Sequence, residues 1–340
     1  MRESIPLVDK SLVKPGDAVG SFQRDLSPEV VGWLKIPFIE RYIKTPLRRP
    51  FNFIYRGLIS NLHLREYKKQ AAFGINQWLW GQRGNDYVAH RHRVNKLMPI
   101  KDKKLLIAGC GTGRDIPSWL KYEPSIVVGL DYFNYQRAWA EVTLELGKRF
   151  PGTTVQFRQG DLSNLEVFND GEFDVIGSDA VFEHITDLSA VAREFYRVLR
   201  PGGIIYATFG PLWHAWHGDH FSGWDELSSG YNHLVLSAEQ YKRYLDEKPF
   251  DRHSEDDGRT WIEHGLFSYL KPVEYMAFLE KAGFRKIFTG VVVEPKAVQC
   301  LKQNVELKTR LLQQHQELDL LITGMTLLFE KPKESASIIW

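Results

Sequence analysis

From about residue 100 onward, short apolar runs alternate with stretches in which apolar residues recur every three or four positions. The runs at 105–108, 126–130, 154–158, 173–177 and 203–208 have the length and content of strands. Segments 135–150 and 188–199 between them carry the three-to-four spacing of amphipathic helices. Strand–helix alternation of this kind predicts a doubly wound α/β sheet. A stretch over about 211–270, rich in Trp, His, Gly and acidic residues, interrupts it. Beyond it the pattern predicts a helix near 272–282, a strand over 284–293, a polar helix over about 296–318 and a last strand near 323–329.

The first 95 residues have another texture. Pro6, Pro15, Gly16 and Gly20 punctuate a loosely ordered arm. Ser27-Pro28 is a helix start, and Pro37, Pro46 and Pro50 break the next segment into short pieces. Residues 52–80 read as helical and aromatic-rich, and Asn85 or Asp86 is placed to cap a helix running to Leu97. The expected organisation is an arm and helical extension over 1–95, an α/β domain over 96–333 with an insertion at about 211–270, and a tail over 334–340.

A chain of 340 residues, 43% hydrophobic and 25% charged, buries a sizeable core. Its two cysteines, Cys110 and Cys300, make neither a disulfide framework nor a metal pair, and a reducing, cytoplasmic setting is expected. No apolar run approaches the roughly 20 residues of a membrane span. The start, Met1 to Pro6, lacks the apolar core of a signal peptide. The net charge of +2 and the lack of a recognised module argue against nucleic acid as partner. One segment is locally basic: Lys35, Arg41, Lys44, Arg48, Arg49, Arg56, Arg65, Lys68 and Lys69, interleaved with Phe38, Tyr42, Phe51, Phe53 and Tyr55. It reads as a helical lid whose aromatics pack on the domain. The alternative is docking to an anionic surface such as membrane lipid.

The chemistry begins at Gly109-Cys110-Gly111-Thr112-Gly113, where a strand ends in a glycine-rich turn that opens a helix. Glycines let the main chain approach a ligand closely, though the same turn also serves plain strand-to-helix packing. Dinucleotide sites space the third glycine one residue later, which disfavours NAD. Asp131 ends the next strand, and a carboxylate there suits a ribose diol or caps the following turn. Three further strand-end motifs lie downstream: Gln159-Gly160-Asp161-Leu162, then Gly177-Ser178-Asp179 leading into Phe182-Glu183-His184, then Arg200-Pro201-Gly202-Gly203.

In order and spacing, from about Lys103 to Thr208, these residues resemble the class I S-adenosylmethionine-dependent methyltransferase family. The resemblance implies a seven-stranded, mostly parallel sheet with an antiparallel last strand, and S-adenosylmethionine as cofactor. It implies that Gly109, Gly111 and Gly113 lie under the methionine part and that Asp131 holds the ribose. It further implies that Asp161 accepts from the adenine amino group and that the Leu162 amide meets the ring. Ser178 and Asp179 would lie near the sulfonium and amino acid end. The family's acidic residue two before the first glycine is Ile107 here. Asp115 offers a nearby charge, or simply a helix N-terminal acid.

The acceptor is expected beyond the carboxyl ends of the later strands, where the insertion begins. Its first eleven residues hold His214, His217 and His220 among Trp213, Trp216 and Phe221. Neutral imidazole takes a hydroxyl proton near neutral pH. His220 is the expected base, with His184 and His217 the other candidates, and His233 is expected to line the same pocket. Histidine and tryptophan in a loop also pack lids. His214, His217, Asp219 and His220 are metal-ligand types, but their spacing matches no metal motif, so no metal is expected. The expected activity is O-methylation of a small-molecule or glycan hydroxyl. The alternatives are C- or N-methylation of a quinone-like or natural-product ring, or a non-catalytic module that binds the cofactor.

Overall fold

The structure, a computed structural model, describes residues 50, 53–54, 58–70, 74–82, 87–247, 261–262 and 264–333. Eight strands form one sheet in the order β1-β7-β8-β6-β5-β2-β3-β4. They are β1 (Gln77–Trp80), β2 (Lys104–Ala108), β3 (Ile126–Asp131), β4 (Thr154–Gln159), β5 (Phe173–Asp179), β6 (Leu199–Phe209), β7 (Arg285–Val293) and β8 (Ile322–Glu330). β8 runs antiparallel to both of its neighbours, β6 and β7, and every other pairing is parallel. The strand order reverses on either side of β2, so the carboxyl ends of β2 and β5 flank a crevice.

The central parallel strands are covered on both faces, and their successive side chains alternate between two apolar layers. Leu106, Ala108, Ile176 and Ile205 join one layer, while Leu105, Ile107, Val175 and Tyr206 join the other. On the second face lie helices α2 (Tyr87–Leu97), α3 (Pro117–Leu120) and α4 (Gln136–Arg149), counting from α1 (Ser60–Gln70). α4 buries Ala138, Trp139, Val142 and Leu146, one stripe of an amphipathic helix. On the first face, α5 (Leu188–Val198) buries Leu188, Val191, Ala192, Phe195 and Val198, and Asp187 caps it by accepting from the Ala190 amide at 2.9 Å. Two short helices of the insertion, α6 (Asn232–Val235) and α7 (Ala238–Glu247), precede α8 (Pro272–Lys281). α9 (Pro295–Gln303), α10 (Val305–Leu312) and α11 (Glu317–Leu321) then lead into β8.

Three expectations need correction. The sheet has eight strands and not seven, because Gln77–Trp80 pairs with β7 in parallel from Gln77↔Gly290 to Trp80↔Val293. That segment therefore leaves the helical reading of 52–80. Asn76 fixes the register: its amide donates to the Thr289 carbonyl at 2.8 Å and its side chain accepts from the Thr289 amide at 2.8 Å. The single polar helix over 296–318 is three helices, broken at Asn304 and again after Leu312. Phe53, expected to pack on the domain, is exposed. The other aromatics of that basic stretch, and Asn85 and Asp86 as caps, lie outside the described residues. Among the described residues, no helix is long and apolar enough to cross a membrane.

Candidate active site

The glycine turn after β2 is held from several sides. The Gly109 amide donates to the Leu130 carbonyl at 2.8 Å. Trp139 Nε1 donates to the Gly111 carbonyl at 2.7 Å, and its ring stacks on Phe157. The outer two glycines are demanded by packing. A Cβ on Gly109 would lie 2.1 Å from a Val181 methyl, and one on Gly113 would lie 2.7 Å from Phe157. At Gly111, with φ +50, a Cβ would meet nothing within 4 Å. The open side of the turn is therefore at its centre, where a ligand has room to lie against the backbone.

Asp131 sits at that opening. Its Oδ2 accepts from the Gly111 amide at 2.7 Å and its Oδ1 from the Phe133 amide at 3.0 Å. Asp161, at the end of β4, accepts from the amide and hydroxyl of Ser163, both at 2.8 Å, and Leu162 beside it is buried. Gly109, Gly111, Gly113, Asp131, Asp161 and Leu162 thus line the carboxyl ends of β2, β3 and β4. This arrangement fits the cofactor: an uncrowded backbone for the amino acid part, then two carboxylates at successive strand ends. Ser178 does not face that opening. It alternates onto the other face of β5, is buried, and donates to the Ala108 carbonyl at 3.0 Å.

Asp179 has a different setting. Ile107 pairs with Gly177, which places Asp179 two residues further along on the same face of the adjoining strand. Ile107 itself is buried in the apolar layer with Trp119. The acid missing at 107 is thereby matched by Asp179 one strand over. Arg91 on α2 forms a buried ion pair with Asp179, and the Tyr206 hydroxyl donates to the other oxygen at 3.1 Å. Burial works against the Arg91 charge, and Asp179, Tyr206 and Asp115 together more than restore it. Asp115 lies 3.9 Å from the same guanidinium. Arg91, Asp115 and Asp179 line a small cleft of about 130 Å³ with Arg114, Thr208 and Gly210. Arg91 was missed in the sequence. Its signal was a charge on the apolar face of a helix, in line with Val94 and Met98.

The insertion folds back as a lid with its own core of Trp213, Tyr241, Ile262 and Phe267. Asp219 organises it: the fully buried carboxylate accepts from the Phe221 and Ser222 amides and, at 2.7 Å, from the Tyr241 hydroxyl. Trp261 stacks on His184 with centroids 4.3 Å apart and meets Phe133 edge-on at 5.6 Å, so the lid bridges the ends of β3 and β5. Ala180, His217 and His220 all adopt left-handed backbone, with φ of 56, 63 and 61. Such conformations cost energy and cluster at functional sites.

Beneath the lid lie Glu183, His184 and His220. The His184 and His220 rings are 4.9 Å apart. Burial pushes Glu183 up to about 7 and His184 down to about 4, and it holds His220 well below the ordinary range, with His184 adding to the effect. The other histidines of the insertion are placed elsewhere. His217 Nδ1 bonds the Ser222 carbonyl inside the loop, and its ring lies 6.5 Å from that of His220. His214 bonds the Tyr269 carbonyl at 3.1 Å. His233 is buried in the lid, bonded to the Trp213 carbonyl at 2.7 Å. The structure therefore does not assemble His214, His217, Asp219 and His220. It brings Glu183, which sequence reasoning passed over, to His184 and His220.

The fold and the strand-end residues define a class: a Rossmann-like methyltransferase domain. Residues 106–207 match the family model described as a methyltransferase domain. The match takes in the glycine turn, Asp131, Asp161 and Asp179. Among curated proteins it is similar to a sterol 24-C-methyltransferase of Aspergillus fumigatus, with 30% identity over 152 residues, 44% of this chain and 39% of that protein. It is also similar to an arsenite methyltransferase of Aquipseudomonas alcaligenes, with 39% identity over 109 residues, 30% of this chain and 31% of that protein. The chain thus spans well under half the length of these relatives. A solved S-adenosylmethionine-dependent methyltransferase from Mesorhizobium loti is 19% identical, covers 74% of this chain and 100% of that chain, and has a TM-score of 0.44.

Asp131→Ala is expected to weaken S-adenosylmethionine binding by roughly 1.5–3 kcal/mol, the scale of a charged hydrogen-bond partner. Calorimetric titration of the folded variant checks this, and unchanged affinity moves the ribose contact elsewhere.

Proposed function

We propose that this chain methylates an oxygen of a small-molecule or glycan acceptor, using S-adenosylmethionine. The cofactor, when bound, supplies a methyl group on a positively charged sulfur. The open centre of the glycine turn, Asp131 and Asp161 hold it, and Arg91 with Asp179 shape the end of the cleft beside it. The observation that carries the oxygen reading is the meeting of Glu183, His184 and His220 under an aromatic lid at the ends of β5 and β6. Imidazole nitrogens and a carboxylate activate a hydroxyl, whereas a hydrocarbon acceptor has no use for them in binding. The lid's Trp261 and Phe267 exclude water from that point and offer faces to a ring. The N-terminal basic segment adds a second contact, to an anionic surface.

Methylation at carbon is the rival reading, favoured by the similarity to a sterol 24-C-methyltransferase. A non-catalytic module that binds the cofactor would share the open Gly111 and the two strand-end carboxylates, but would leave Glu183, His184 and His220 without a role; it gives heat without turnover. One experiment separates the three. Purified protein is titrated with S-adenosylmethionine, S-adenosylhomocysteine and NAD, then screened for S-adenosylhomocysteine release with hydroxylated and with unsaturated hydrocarbon acceptors. The proposal expects heat with the first two ligands alone and turnover with hydroxylated acceptors. Turnover confined to hydrocarbons supports carbon as the acceptor. No heat with either sulfur ligand overturns the cofactor assignment.

A further inference from the structure

Glu183, His184 and His220 each offer one ligand atom, and the three atoms lie within 4.8 Å of one another. The rest of each side chain is tied to backbone. Glu183 Oε1 accepts from the Gly210 amide at 2.9 Å, while Oε2 is buried without a hydrogen-bond partner among the described residues. His184 Nδ1 bonds the Leu266 carbonyl at 2.8 Å. A carbonyl only accepts, so Nδ1 carries the proton and the lone pair lies on Nε2. The His220 ring bonds the backbone of Pro211, which has no N–H to give. His220 Nε2 is buried without a partner among the described residues, so its lone pair is uncommitted too. Three backbone groups thus orient two imidazoles and one carboxylate, and one ligand atom from each of the three converges with the others. Glu183 is 1% exposed, so bulk solvent does not reach it.

We propose that Glu183, His184 and His220 form a binding site for a divalent first-row metal cation, zinc foremost. Two imidazole nitrogens and one carboxylate oxygen are the protein donor set of a zinc site that keeps an open position. Magnesium and calcium, which take oxygen ligands, are poor matches for two imidazoles. The bonds from the ligand side chains to Leu266, Pro211 and Gly210 are the outer contacts that orient metal-bound histidines and carboxylates. A cation also accounts for the otherwise costly burial of Glu183 Oε2 and His220 Nε2. The donor set comes from two distant parts of the chain, the turn after β5 and the lid, so the ion would also pin the lid to the sheet. Its role toward the acceptor rests on the proposed function: a hydroxyl in the open position is acidified by the ion. Binding of the ion does not rest on it.

The test uses the full-length protein, stripped with chelator and titrated with Zn²⁺ against a chromophoric competitor, with no cofactor or acceptor present. One Zn²⁺ per chain is expected at submicromolar affinity. Glu183→Gln and His220→Gln should each weaken it by at least about 100-fold, the upper end of what loss of an outer contact alone costs. His217→Ala should leave it unchanged. Circular dichroism establishes that each variant is folded. Visible absorption of the Co²⁺-loaded wild-type protein gives a reading that needs no variant. Zn²⁺ affinity indifferent to both Glu183→Gln and His220→Gln overturns the site, as does a wild-type chain that neither binds Zn²⁺ nor yields Co²⁺ bands. A metal-free protein that still methylates a hydroxylated acceptor would overturn the ion's role toward the acceptor and leave the proposed function standing.

Discussion

His220→Ala is expected to lower the turnover rate by roughly 10²–10⁴-fold, the range for loss of a group that activates a hydroxyl, with cofactor affinity nearly intact. The residue lies in the lid but reaches the end of β5, its ring 4.9 Å from that of His184. It touches neither Asp131 nor the glycine turn, so binding and turnover should separate. His217→Ala is the matched control. It sits in the same loop with the same left-handed backbone, yet its Nδ1 is spent on the Ser222 carbonyl. Single-turnover rates and calorimetric affinities for both variants decide the matter. If His220→Ala keeps wild-type turnover while His184→Ala loses it, activation passes to His184. If neither matters, the acceptor is not a hydroxyl bound at this cluster.

Arg91→Leu is expected to destabilise the fold by about 3–5 kcal/mol, the cost of removing one partner of a buried ion pair. The Arg91 side chain is 3% exposed and that of Asp179 12%. Without the guanidinium, the carboxylate keeps only the Tyr206 hydroxyl and stays walled in by the sheet. Adding Asp179→Leu to Arg91→Leu should recover most of the loss, because no buried charge then remains. Urea unfolding of both variants measures this. A cost below about 1 kcal/mol for Arg91→Leu would put the pair in the class of exposed ion pairs. The prediction joins α2, outside the motif region, to the floor of the cleft.

Seven of the eight strands were legible because each is a run rich in apolar or β-branched residues bounded by turn residues or helix-spaced segments. β1 was not. Four residues, Gln77-Trp78-Leu79-Trp80, are too short to show a period, and their pairing with residues near 290 leaves no local mark. The glycine turn, Asp131 and Asp161 were legible for the opposite reason: each stands at a strand end, at a spacing set by the fold. Arg91 was read only as part of a helix, since its partner lies 88 residues away. Glu183 stood in plain view beside His184. It became chemistry only when the lid returned His220 to it, and no periodicity encodes the path of a long insertion. The same holds for Asp219 and His233, which carried ligand-type side chains and serve the lid's interior.

β1 covers the hydrogen-bonding edge of β7, and that bears on where the chain can be cut. A fragment starting at residue 96 keeps every strand-end motif, from the glycine turn onward. It would bare the outer N–H and C=O groups of β7 over residues 290–293, and bare edges recruit foreign strands. It would also discard Arg91 and strand Asp179. The shortest soluble unit should therefore begin ahead of Asn76, and chimeras that exchange acceptor specificity should carry the extension along with the sheet it completes.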